Sequence, residues 1–180
     1  MLDRVESARV FRRLRENGPA LLVPAAWLVV VAAVLDVVST RALFVAHVVM
    51  SVLLVAFVVA SWRDMSAGVL RTWKLVILAG TPVTLAGVVG FLALGGTLDL
   101  PPDALLAVSL YGWALLPAAG FASTRGRVEA GAWVYDLGVG CCVAGAVGVA
   151  AAPSATWTAV ALGVVGAGQT AGILDATLRY

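Results

Sequence analysis

A chain of 180 residues that is 62% hydrophobic and only 12% charged, with mean hydropathy +1.01, cannot clothe a water-soluble domain of its own size. Its 12 basic and 10 acidic residues are too few to make a charged surface, which excludes an ordinary soluble enzyme. The apolar residues fall instead in six runs, each about long enough to cross ~30 Å of hydrocarbon at about 1.5 Å per residue. These runs use nearly the whole chain, so the expected architecture is one all-α polytopic membrane domain over residues 20–180 with six transmembrane helices. The adjacent Cys141 and Cys142 fall inside a predicted span and read as small buried hydrophobes, not as a disulfide framework. The first apolar run is too long for a signal peptide and ends in no clear cleavage site.

In chain order, residues 1–19 come first. Leu2, Val5, Phe11 and Leu14 gather on one side of a helix, while Arg4, Arg9, Arg12, Arg13 and Arg15 supply charge. The segment reads as an amphipathic basic helix on an anionic membrane face, a topology anchor and not a nucleic-acid footprint. Asn17-Gly18-Pro19 breaks it. Span one is expected over residues 20–38 and span two over 42–61, joined by the turn Ser39-Thr40-Arg41. The polar stretch 62–72 leads to span three, 73–94. Gly95-Gly96 and Pro101-Pro102 mark the next loop. Span four covers 104–122, span five 130–151, and Pro153 turns the chain into span six, 157–178.

Basic residues set the expected orientation. With the N-terminus in the cytoplasm, eleven Lys and Arg fall inside, Arg63, Arg125 and Arg179 among them, against Arg41 alone outside. The expectation is a cell-membrane protein with both termini cytoplasmic. Trp62, Trp73 and Trp133 fit inner interface anchors and Trp157 an outer one, while Trp27 and Trp113 lie deeper and read as packing residues.

Three spans end alike. A small residue is followed by Ala four places on and by Arg three after that: Ala56/Ala60/Arg63, Ala118/Ala122/Arg125 and Gly172/Ala176/Arg179. Spans three and five also open alike, with Trp73/Gly80 and Trp133/Gly140, and both turn at Pro. This favours three two-helix hairpins. The rival reading, two inverted three-helix halves, rests on Ser39-Thr40-Arg41 and Thr72-Trp73 recurring 84 residues later as Ser123-Thr124-Arg125 and Thr156-Trp157. The run from Trp133 through Gly140 and Pro153 to GILDATLR resembles the repeat of the HdeD-type acid-resistance membrane proteins, the short-repeat family; residues 73–125 fit more loosely. The resemblance implies a six-span hairpin fold and a link to envelope stress, and no catalytic residues.

Small residues spaced by four mark the packing faces: Gly140, Ala144 and Gly148 on span five, Gly168, Gly172 and Ala176 on span six, with a second stripe of Gly163, Ala167 and Ala171. Intramembrane polar residues are few. Asp36 and His47 fall at similar depth in neighbouring spans, an arrangement that would respond to external acid if they touched; the alternative partner of Asp36 is Arg41. Asp136 is within reach of Arg125 or Arg127, Asp175 stands four before Arg179, and Gln169 is nearest the middle of span six. Thr81, Pro82 and Thr84 interrupt span three.

One histidine cannot build a His-rich metal or multi-haem site, and no paired catalytic acids or nucleophile with a base stand out. The expectation is a non-enzymatic membrane protein without a cofactor, whose partner is the bilayer and, beyond it, a second copy or another membrane protein. The rival functions are a small-solute or ion transporter and an accessory subunit of a membrane complex.

Overall fold

The structure, a computed structural model, describes residues 21–128 and 131–179. It contains α1 (Leu21–Val34), α2 (Thr40–Ser61), α3 (Gly68–Leu94), α4 (Pro102–Arg125), α5 (Ala132–Ala150) and α6 (Ala155–Arg179), with no strand among the described residues. Helices α2 to α6 are long and apolar enough to cross a membrane, and α1 is a shorter apolar helix. The chain is an all-α, multi-pass bundle. Helices are what such a sequence must form, because hydrocarbon offers no partner for an open backbone N–H or C=O. The amphipathic helix expected over residues 1–19 lies outside the described residues.

Helix ends are set by local chemistry. Span one was expected to reach Val38, but α1 stops at Val34. Asp36 adopts a left-handed φ of 58°, the Val37 N–H reaches the Ala32 carbonyl at 2.8 Å, and the Asp36 N–H reaches Ala33 at 3.1 Å. This is a Schellman ending, with an acid in the place usually held by glycine. The same ending closes α3 with Gly96 at φ 74°, where Thr97 N–H bonds Leu92 and Gly96 N–H bonds Ala93. Ser39 does not sit in a free turn; its Oγ accepts the Ala42 N–H at 3.2 Å and caps α2, so Thr40 and Arg41 belong to the helix. Helix α3 begins at Gly68, not Trp73, so that Arg71 and Thr72 belong to the helix and not to the loop before it. Pro101 and Pro102 open α4, where the missing N–H costs nothing, and Asp103 follows in its first turn.

Consecutive helices from α2 to α6 pack side by side. The buried cluster joins Ala114, Ala118 and Phe121 of α4, Tyr135, Cys142 and Ala146 of α5, Leu162 and Val165 of α6, and Trp27 of α1. Phe121 is at its centre, edge-on to Trp73 at 5.2 Å and tilted against Tyr135 at 6.1 Å. Helix α3 runs unbroken through Pro82, with Thr81 and Thr84 donating back to the Ile77 and Gly80 carbonyls.

Close approach of α5 and α6 to each other and to Phe121 of α4 depends on glycine, at positions that differ in part from the expected stripe. A Cβ on Gly168 would collide with Cys141, and one on Gly172 with Phe121; Gly148 would meet Ala161 at 3.0 Å. Gly140, however, faces outward and would meet nothing, and Ala144 is exposed beside it. The contact face of α5 instead uses Gly138, whose Cβ would reach Phe121 at 2.9 Å, and Gly145, which would run into Val165 and the Ala161 carbonyl. Gly163 and Ala167 also face outward, so the second stripe on α6 is not an internal packing face. The motif Trp-x6-Gly accordingly holds unlike positions: Trp73 packs on Phe121 and Gly80 houses the Trp113 ring, whereas Trp133 and Gly140 are exposed.

Candidate functional site

The one buried side-chain amide among the described residues is Gln169, 2% exposed and midway along α6. Its Oε1 accepts the Trp27 indole N–H at 2.9 Å. Its Nε2 donates to the Trp113 carbonyl at 2.8 Å, with the Ala114 carbonyl at 3.5 Å and Cys142 Sγ at 3.7 Å. One side chain on α6 therefore ties α1 and α4, with α5 alongside.

The Trp113 carbonyl has a specific reason to need a donor. Pro117 stands four residues later inside α4 and has no N–H to offer it. In lipid that carbonyl would be an orphan, and Gln169 fills the gap. The Trp113 indole then extends the chain of bonds: its Nε1 donates to Thr84 Oγ1 at 2.8 Å, and Thr84 donates to the Gly80 carbonyl at 3.0 Å. Gly80 is glycine because the Trp113 ring lies where its Cβ would be. The result is a polar hub running from α1 through α6 and α4 to α3.

Trp27 is turned towards α6. A Cβ on Gly166 would lie 2.9 Å from the Trp27 Cβ, and the indole is 7% exposed. Both deep tryptophans thus act as donors as well as packing groups. Trp62, Trp133 and Trp157 are exposed, as interface anchors must be, but Trp73 is drawn into the Phe121 cluster.

Asp36 and His47 are not brought together. Asp36 is exposed in the α1–α2 turn, and no hydrogen bond or ion pair joins it to His47 or Arg41 among the described residues. His47 faces α3: its ring stands edge-on to Phe91 at 5.1 Å, its carbon edge lies over Gly87, and Nδ1 is 2.9 Å from the Leu43 carbonyl in its own helix. The turn is short, but Asp36 ends α1 in a left-handed conformation and is exposed, whereas His47 lies against α3.

Asp136 does find its arginine. Arg125 Nε is 2.6 Å from Asp136 Oδ1, joining the end of α4 to the first turns of α5, with both side chains about half exposed. Arg127 takes a different role: Nη1 donates to the Gly68 carbonyl at 2.9 Å and to Thr72 Oγ1 at 2.8 Å, tying the α4–α5 loop to the start of α3. At the same end Lys74 sits 4.5 Å above the Trp62 ring. The Arg179 side chain lies outside what the structure describes. No family model, curated protein or solved structure matches the chain.

Proposed function

We propose that the chain is a non-enzymatic membrane framework, which acts through the surface it presents to lipid and to neighbouring membrane proteins. The observation that carries this reading is the use made of Gln169. The central polar group of the bundle has both amide atoms engaged in holding helices together, where a transport pathway would leave such groups facing water or substrate. The resemblance to HdeD-type proteins extends the proposal to a role in membrane integrity under stress, with the N- and C-termini in the cytoplasm. An acid response through Asp36 and His47 is no part of it, because the two are not joined.

Cys142 is a built-in reporter, because its Sγ lies beside Gln169. Thiols react as thiolates, which form where water reaches. In a Cys141→Ala variant in native membranes, Cys142 is expected to stay unmodified by a small polar methanethiosulfonate reagent over minutes, while a control cysteine at Ser66 reacts fully. Rapid modification of Cys142 would put water at the hub and favour the transporter reading.

A further inference from the structure

An open cleft of about 500 Å³ lies between α3 and α4, towards the end that carries Arg127. Its shape follows from the sequence. Arg71, Leu75 and Ala79 recur every four residues along one face of α3, a stripe of about 12 Å at 1.5 Å rise per residue. Across from them Leu116 and Ala119 form the apolar wall on α4, and Ser123 follows one turn on. The small side chains at positions 79 and 119 are what leave the recess. One end of the groove is thus hydrocarbon-lined and lies within the span, and the other opens among hydroxyls and guanidiniums where the helices meet the interface.

Among the described residues no acid neutralises the charges at that mouth. Arg127 donates to two neutral oxygens, Gly68 O and Thr72 Oγ1. Among the described residues neither Arg71 nor Arg127 has a carboxylate partner, whereas Arg125, two residues earlier and outside the cleft, is paired with Asp136. Two uncompensated guanidiniums above an apolar groove match a ligand with an anionic phosphate and a hydrocarbon tail. We propose that the α3–α4 cleft is a binding site for one anionic glycerophospholipid, its headgroup phosphate held by Arg71 and Arg127 and one acyl chain lying between Leu75, Ala79, Leu116 and Ala119. The inference needs only that the bundle sits in a bilayer and does not depend on the framework reading.

Native mass spectrometry of the detergent-purified protein, titrated with phosphatidylglycerol or phosphatidylcholine of identical chains, tests it. Wild type is expected to retain one phosphatidylglycerol roughly tenfold more tightly than phosphatidylcholine, whose phosphate is the same but is compensated by a choline cation that the two guanidiniums repel. Arg71→Ala, which breaks no side-chain hydrogen bond or ion pair among the described residues, is expected to bring the two lipids level. Ala119→Leu fills the groove and is expected to remove retention of both while both arginines remain. Arg125→Ala makes the same charge change outside the cleft and is expected to keep the preference. Equal binding of the two lipids by wild type, or retention of the preference in Arg71→Ala, would overturn the proposal. Displacement of the lipid by millimolar inorganic phosphate would reduce the site to a simple anion site and also overturn it. So would a dimer that Ala119→Leu dissociates, which would put a second copy in the groove.

Discussion

Gln169 joins three helices through one amide, bonding Trp27 of α1 and Trp113 of α4 from its place on α6. Replacing it with Leu keeps the volume but leaves the Trp27 indole and the Trp113 carbonyl without partners. An orphaned buried group costs about 1–3 kcal/mol, although hydrogen bonds measured within membranes average nearer 0.6 kcal/mol. The expected loss for Gln169→Leu is therefore roughly 1–3 kcal/mol, read from reversible unfolding in mixed micelles. The explanation through Pro117 makes a sharper demand. Pro117→Ala restores an N–H that can bond the Trp113 carbonyl within α4, so Gln169→Leu should cost about 1 kcal/mol less in that background. Strict additivity of the two substitutions would sink the account.

At the scale of elements, the α5–α6 contact separates glycines that look alike in the sequence. Gly168→Leu is expected to cost roughly 1–3 kcal/mol, because Cys141 and the Gly138 backbone occupy the space. Gly140→Leu, on the opposite face of α5, should change stability by less than about 0.5 kcal/mol. Equal melting temperatures for the two variants would put both faces in lipid. The small-xxx-small pattern had picked out Gly140 and missed Gly138 and Gly145. In a soluble helix polar residues would mark the outer face; here both faces of α5 are apolar, so spacing alone cannot choose between them. Loop chemistry was more legible. Gly95-Gly96, Pro101-Pro102 and Pro153 all mark real turns, since glycine and proline act through the backbone whatever the solvent. Asp36 escaped because an aspartate at positive φ leaves no such mark. The hub was half readable: Gln169 stands out as a mid-span amide, but its partner is a backbone carbonyl whose need is announced only by Pro117, on another helix.

For the whole molecule, the helices differ in how far the chain itself covers them. Within its most apolar window, α6 is 44% buried and α2 only 6%, so α6 is the most covered helix and α2 the least. Lipid or a partner must cover α2, whose Val45, Val52, Val55 and Val59 are exposed. The bundle also has two chemically distinct ends. The bonds from Arg127 to Gly68 and Thr72 bring the α2–α3 and α4–α5 loops together, which gathers Arg63, Arg71, Lys74, Arg125 and Arg127 at one end. The contacts of Phe44 and His47 with Phe91 bring the start of α2 beside the end of α3, which places Asp36, Arg41 and Asp99 at the other. Basic residues resist translocation, so the arginine-rich end should be cytoplasmic. Ser66 and Ser154 are exposed at opposite ends and suit the measurement. In a variant with Cys141→Ala and Cys142→Ala, a cysteine at Ser154 should react with an impermeant maleimide in intact cells, and one at Ser66 only after the membrane is opened. Ser154 also accepts the Trp157 N–H at 3.4 Å, a surface cap whose loss costs about 1 kcal/mol and should leave the bundle folded. The reverse labelling pattern would invert the whole molecule and put the proposed lipid cleft in the outer leaflet.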